Sequence, residues 1–67
     1  MSMGTRISQY RKEHGLTQES LARMLNVTNQ AVSKWESGAS DPSTSNLAAL
    51  AKLFGTTAEA LLRELKQ

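Results

Sequence analysis

The sequence predicts a small all-α fold of five short helices, and three observations support this prediction. Apolar residues recur at helical spacing, whereas the apolar/polar alternation that is typical of β-strands is absent. Glycine follows a helix-like stretch at Gly15, Gly38 and Gly55, where a left-handed C-terminal cap favours a residue without a β-carbon. The 67 residues include no cysteine and one histidine, so apolar packing, rather than a disulfide or a Cys/His zinc site, must hold the chain together.

The first helix is expected over about 5–14, because Ile7 and Tyr10 lie on one face of that stretch. Residues 1–4 are predicted to be a loose N-terminal segment of a single domain that covers 1–67. A domain of this length buries only about 60% of the surface that its unfolded chain exposes, so its core must be used economically.

A second and a third helix follow with only a short turn between them, and each can be capped by a threonine hydroxyl, at Thr17 and Thr28. Asn26 lies in the turn and is one of the few residues other than glycine that tolerates a positive φ. A connection this short forces the helices to cross steeply. It needs a small residue where they approach, Ala22, and an apolar side chain in the angle between them, Val32. We therefore expect a helix-turn-helix motif at about 18–36.

Two further helices are predicted after a polar connector. Pro42 disfavours helix at the preceding residue, Ser43 can cap the fourth helix and Thr57 can cap the fifth. The apolar stripes of these helices consist of Leu47, Leu50, Ala51 and Phe54, and of Leu61, Leu62 and Leu65. The bundle need not cover Leu53 and Leu65 completely. The last helix therefore either supplies a two-fold dimer contact or is partly buried within the monomer.

The charge of the chain permits nucleic-acid binding without requiring it. The formal net charge is +2 and the isoelectric point is about 9.4, a balance that many domains without a polyanionic partner share. The excess lies in the first half, where five basic residues face three acidic ones up to Gly38; after Gly38 the numbers are three and three.

The sequence lacks the features that indicate a membrane protein or an enzyme. With a mean hydropathy of −0.42 and no apolar run near the ~20 residues that a membrane span needs, we expect no membrane segment and a cytoplasmic location. There is no cysteine nucleophile, no glycine-rich phosphate loop and no acid pair on a plausible concave surface, so no enzymatic activity is expected. We also expect neither a cofactor nor a bound metal.

Two stretches carry a family resemblance: residues 16–22 read LTQESLA, and residues 27–38 read VTNQAVSKWESG, followed by Pro42. Together they closely resemble the Cro/phage-repressor family of helix-turn-helix domains, also called the XRE type, over about 6–62. The resemblance implies a compact five-helix bundle of the lambda-repressor-like type. It further implies that the third helix reads operator DNA, usually in a homodimer.

The resemblance also implies roles for individual residues. Gln18 matches a family glutamine that caps the second helix against a DNA phosphate, a contact that positions without reading sequence. The implied base-reading side chains are those of Thr28, Asn29, Gln30, Ser33 and Lys34. Asn29 and Gln30 are the main readers, because a side-chain amide can pair with adenine; Lys34 can reach a guanine edge or a phosphate.

Three other residues, Arg11, Glu36 and Trp35, receive structural roles. Arg11 matches a family arginine that pairs with the glutamate matched here by Glu36, so an ion pair is favoured over a phosphate contact. Trp35 follows Val32 by three residues, which favours burial in the core over stacking on a base. His14, in the last turn of the first helix, is expected to have neither a ligand role nor a base role.

The chain departs from the family pattern at two places. Asn26 stands where family members often carry glycine, a tolerable exchange. Ala39, Ser40 and Asp41 stand where many carry lysine or arginine, which removes phosphate contacts. We therefore expect modest affinity per subunit and a stronger need for dimerisation or a partner.

These observations predict a sequence-specific DNA-binding transcriptional repressor that reads an inverted-repeat operator as a homodimer with its third helix, at about 28–37. The C-terminal helix is one candidate for the dimer contact. One alternative keeps the DNA-binding face in an antitoxin or phage-control protein that also binds a protein partner. Another is a protein-interaction module of the same fold that does not read DNA. The small net charge keeps this last alternative open, and so does the connector before the fourth helix, which carries Asp41 and no cation. The set of Gln18, Asn29, Gln30 and Lys34 argues against it.

Overall fold

The computed structural model describes residues 2–62, and this part of the chain forms five α-helices and no β-strand. The helices are α1 (Met3–Glu13), α2 (Gln18–Leu25), α3 (Asn29–Ser37), α4 (Thr44–Phe54) and α5 (Ala58–Leu62). The predicted five-helix, all-α fold is confirmed. Within residues 2–62, no helix combines the length and the apolar character that crossing a membrane requires.

Hydroxyl side chains cap the starts of α2 to α5. Thr17, Thr28 and Ser43 each have an extended backbone, and each side chain accepts a hydrogen bond from the backbone N–H three residues further on. Thr57 does the same for α5, where its Oγ1 lies 3.0 Å from the N atom of Ala60. Each cap satisfies a backbone donor that the first turn of a helix leaves without a partner, as the sequence predicts.

Helix α1 begins earlier than the sequence predicts. Ser2 is its N-cap, with Oγ accepting a hydrogen bond from the N atom of Thr5 at 3.2 Å, and the helix begins at Met3. The prediction of a loose segment at 1–4 is therefore wrong for residues 2–4. The apolar spacing of α1 likewise extends back to Met3, four residues before Ile7, and Met3 is partly buried against the core.

The buried residue Gly4 allows the first turn of α1 to pack closely against α3. Here the backbone of α1 lies against the C-terminal end of α3, and a β-carbon built on Gly4 would come within 2.6 Å of the carbonyl oxygen of Glu36. Real β-carbons do not approach backbone oxygens this closely, so only glycine fits without a shift of one helix. Gly4 is thus a packing residue that fixes the distance between α1 and α3.

All five helices contribute to one core, whose fully buried side chains are those of Ile7, Leu21, Val32, Leu50 and Leu61. Trp35 is 6% exposed, so its predicted burial is confirmed. Leu53 is partly buried against this core. Leu62, however, is 52% exposed, so the predicted apolar stripe of α5 is wrong at this position; Leu65 lies outside the described residues.

Helix α3 is held by two neighbours, because it contacts both α1 and α2. On the other side of α1, the ring of Tyr10 stacks on that of Phe54 with centroids 5.3 Å apart, and the Tyr10 hydroxyl donates to Thr56 Oγ1 at 3.5 Å. The ring of His14 also lies 5.3 Å from Phe54. The inner face of α3 is fixed by its contacts with α1 and α2, while the outer face of α3 remains open to solvent.

Candidate nucleic-acid interface

The turn between α2 and α3 has the geometry that the sequence predicts. Asn26 adopts the left-handed conformation, with φ 61° and ψ 43°, and is the C-cap of α2. Ala22 is 3% exposed where the helices approach, and its carbonyl oxygen accepts a hydrogen bond from the N atom of Val27 at 2.9 Å. Val32 is fully buried. The turn thereby fixes the direction in which α3 leaves α2.

The outer face of α3 carries a row of exposed polar side chains, which we call the α3 outer row: Asn29, Gln30, Ser33 and Lys34. These side chains form no hydrogen bond or ion pair with other residues in the part of the chain that the structure describes. The inner face of the same helix is anchored by Val32 and Trp35. Four of the five predicted base-reading residues therefore lie together and are available to a partner.

The fifth predicted reader, Thr28, differs from the other four. Its Oγ1 accepts a hydrogen bond from the N atom of Ala31 at 3.1 Å and so caps α3. Thr28 is exposed, and its hydroxyl proton can still be donated to an acceptor outside the protein. The cap fixes the position of that hydroxyl at the start of α3, next to the α3 outer row.

Arg11 and Glu36 form the ion pair that the family resemblance implies. Arg11 Nε lies 2.7 Å from Glu36 Oε2 and Arg11 Nη2 lies 3.2 Å from Glu36 Oε1, with the two side chains 12% and 8% exposed. Arg11 Nη1 also donates to the carbonyl oxygen of Leu16 at 2.7 Å. The guanidinium therefore joins α1 to the end of α3 and to the loop before α2.

Gln18 also contacts Glu36, and sequence reasoning did not find this contact. Gln18 is the first residue of α2, and its Nε2 donates to Glu36 Oε1 at 3.0 Å. The Thr17 hydroxyl accepts a hydrogen bond from the backbone N–H of Ser20. The backbone N–H groups of Gln18 and Glu19, which precede Ser20, have no acceptor within their own helix. Backbone N–H groups at a helix start, beside a side-chain amide, suit an anionic oxygen.

The basic charge of this half of the chain is partly neutralised. Arg11 pairs with Glu36. Nη2 of the exposed Arg23 lies 3.5 Å from Oε2 of Glu19, which is four residues earlier in α2. Lys34 adds an exposed cation to the α3 outer row. Within residues 2–62, no group of three or more His, Cys, Asp or Glu side chains is arranged to hold a metal ion. The site therefore offers amides, hydroxyls and one lysine.

The fold and this site together define a small helix-turn-helix domain. A family model described as helix-turn-helix matches residues 7–61, and the chain belongs to this family, which confirms the relationship that the sequence predicts. The chain is 40% identical over 62 residues to the HTH-type transcriptional activator BcrR of Enterococcus faecalis, covering 92% of this chain and 30% of that protein. It is 43% identical over 54 residues to the HTH-type transcriptional regulator DicA of Escherichia coli (strain K12), covering 81% and 40%.

Among solved structures, the chain is similar to the P22 c2 repressor in a crystal structure of that protein with a synthetic operator. The TM-score is 0.89 at 36% sequence identity, and the match covers 94% of this chain and 96% of that one. The chain spans less than half the length of both curated relatives named above. The similarity to them therefore concerns their helix-turn-helix portion.

Proposed function

We propose that this chain binds double-stranded DNA sequence-specifically as the reading module of a transcriptional regulator. The observation that carries the proposal is the α3 outer row, whose polar side chains face solvent while the same helix is anchored by Val32 and Trp35. The major groove of DNA, about 12 Å wide, admits an α-helix presented in this way. Because the row makes no contact that the fold needs, its side chains are available to base edges.

The chemistry of the α3 outer row fits base edges. The amides of Asn29 and Gln30 each combine a donor and an acceptor, which matches N6 and N7 of adenine. Lys34 can donate to guanine or to a phosphate, while Ser33 and Thr28 can pair with several bases. Gln18 would contact a phosphate with its amide and with the backbone N–H groups at the start of α2. Base reading and positioning would thus be divided between α3 and α2.

The names of similar proteins support a regulatory role. The P22 c2 repressor, 36% identical over nearly the whole chain, is seen with an operator, and the curated relatives are named as transcriptional regulators. We propose repression by occupation of the operator, in the cytoplasm and without a cofactor. One relative is named as an activator, so the position of the operator relative to a promoter would decide the sign.

We further propose that two copies bind an inverted repeat. One domain with four outer-row side chains reads a short half-site, and the acidic connector around Asp41 contributes no cation toward phosphates. Doubling the contacts by two-fold symmetry, with half-sites about 34–36 Å apart, compensates for this limited affinity. The half-exposed Leu62 of α5 and the partly buried Leu53 make the C-terminal end the candidate dimer contact.

Selection of bound sequences from random duplex DNA tests the proposal. The wild type should select an inverted-repeat motif, and Gln30→Ala should lose about 1–3 kcal/mol of binding free energy at one base position of each half-site. Gln9→Ala is the matched control, because it removes the same amide from an exposed position on α1 that carries no proposed contact. Affinities measured across salt concentrations separate base reading from phosphate contacts.

A different result would favour an alternative function. If no motif emerges and all binding disappears at moderate salt, the interaction is merely electrostatic and the proposal is wrong. A protein-interaction module of the same fold would then become the preferred function. If Gln9→Ala weakens binding as much as Gln30→Ala, the reading surface does not lie on α3.

A further inference from the structure

The carboxylate of Glu36 receives hydrogen bonds from two side chains on two other helices. Arg11 of α1 donates to it through Nε at 2.7 Å and Nη2 at 3.2 Å. Gln18 of α2 donates to it through Nε2 at 3.0 Å. The Glu36 side chain is 8% exposed, so water competes little for its oxygens. Glu36 is therefore the centre of a three-helix network rather than one half of an ion pair.

This contact determines how the amide of Gln18 is oriented. A glutamine amide can turn through 180° and present either its NH2 group or its carbonyl oxygen to a neighbour. An ionised carboxylate only accepts hydrogen bonds, so Glu36 selects the orientation with Nε2 toward itself. One proton of Nε2 binds Glu36, and the second remains available to another acceptor.

A DNA phosphate also only accepts hydrogen bonds, so it binds the NH2 group of Gln18 and is repelled by the carbonyl oxygen. We propose that Glu36 is a positioning residue for DNA binding, which keeps the Nε2 group of Gln18 in the orientation that a phosphate requires. This inference rests on the proposed function, because it needs Gln18 to contact DNA. It assigns to Glu36 a role beyond its pairing with Arg11.

Arg11 makes this arrangement compatible with a polyanion. A carboxylate that is close to a DNA phosphate would repel the phosphate. The Arg11 guanidinium forms an ion pair with Glu36 and offsets the charge of that carboxylate. Arg11 is itself held by the carbonyl oxygen of Leu16, two residues before Gln18. The loop that leads into α2 and the amide at its start are therefore fixed by the same guanidinium–carboxylate pair.

A double-mutant cycle on the selected operator tests the proposal. Glu36→Gln keeps the shape of the side chain but can present either an acceptor or a donor, so it no longer selects one orientation of Gln18. The change also removes a negative charge, which by itself strengthens DNA binding in any background. The effect of Glu36→Gln is therefore compared between the wild type and Gln18→Ala.

We expect Glu36→Gln to be about twofold less favourable for operator binding in the wild type than in Gln18→Ala, because Gln18 without a selected orientation presents its NH2 group to the phosphate in only about half of the molecules. Equal effects in both backgrounds would overturn the proposal, since a merely structural role does not depend on the Gln18 amide. Glu19→Gln is the control: it makes the same charge change on a side chain that is 75% exposed, and its effect should be the same in both backgrounds.

A measurement on the wild type keeps the proposal testable if Glu36→Gln does not fold. In NMR spectra, one Nε2 proton of Gln18 should be shifted and protected from exchange by Glu36, and the other should shift when operator is added. Two protons that resemble those of an exposed glutamine would overturn the proposal.

The failure of the proposed function and the failure of the positioning role can be told apart. If no operator can be selected, the proposed function fails and the positioning role fails with it. If the operator is bound but the double-mutant cycle is additive, the positioning role alone fails.

Discussion

The corner where α1, α2 and α3 meet is held differently from the half of the molecule that contains α4 and α5. In the corner, Arg11, Gln18 and Glu36 form directional polar contacts between three helices, and Gly4 brings two backbones together. The α4–α5 half contributes mainly apolar side chains to the core: Leu47, Leu50, Ala51, Phe54 and Leu61. Apolar packing brings helices together, whereas directional contacts also fix how they are rotated. The helices that carry the proposed DNA contacts are those with the directional contacts.

The largest effect is expected from breaking the polar corner. Arg11→Ala removes the cation that pairs with Glu36, whose side chain is only 8% exposed in the wild type. We expect this change to lower the free energy of unfolding by about 3–5 kcal/mol. Urea denaturation followed by circular dichroism measures this. Arg23→Ala is the control, because its partner Glu19 is 75% exposed, and it should cost at most about 1 kcal/mol. Equal losses would show that the corner is no more than a surface ion pair.

A second test concerns the backbone approach in the same corner. Gly4→Ala would place a methyl group against the carbonyl oxygens of Trp35 and Glu36, and we expect a loss of about 3 kcal/mol as α1 moves away from α3. Gly15→Ala is the matched control. A β-carbon at Gly15 meets no atom within 4 Å, so only its φ of 68° is strained, at a cost of about 1 kcal/mol. A smaller loss for Gly4→Ala than for Gly15→Ala would contradict the close approach.

The smallest effect is expected in the apolar half. Leu50→Met conserves the volume of a fully buried side chain, and we expect it to cost less than about 1.5 kcal/mol, because apolar packing tolerates a change of shape. Thermal unfolding measures the loss, with Leu62→Met at a 52% exposed position as the control without an expected change. If Leu50→Met costs as much as Arg11→Ala, the two halves do not differ in the way we describe.

Most features that the residues themselves predicted correctly depend on contacts between near neighbours, whereas the Arg11–Glu36 pair, 25 positions apart, was implied only by the family resemblance. The hydroxyl caps at Thr17 and Thr28 each bind a backbone N–H three residues away, so residue type and spacing suffice to find them. The left-handed Asn26 is recognisable for the same reason. Helical periodicity also placed Val32 and Trp35 inward, and thereby the α3 outer row outward.

Apart from the Ser2 cap, which is local, the contacts that were missed depend on distant parts of the chain. Gln18 meets Glu36 across 18 positions of sequence, and no pattern within either helix indicates this contact. Gly4 looks like a flexible residue near a chain end until α3 is seen beside it. The exposure of Leu62 has a simpler cause: Leu61 occupies the inward position, and its neighbour on a helix points about 100° away.

The contact of α1 with α5 has a consequence for the synthesis of the protein. Ile7 and Leu61 belong to one core, and α1 contacts α5, so the first helix gains its full cover only from the last one described. A nascent chain that still holds residues 58–62 inside the ribosome cannot complete this core. The domain would therefore fold as a single unit once residues 58–62 have left the ribosome, with the apolar side of α1 exposed until then.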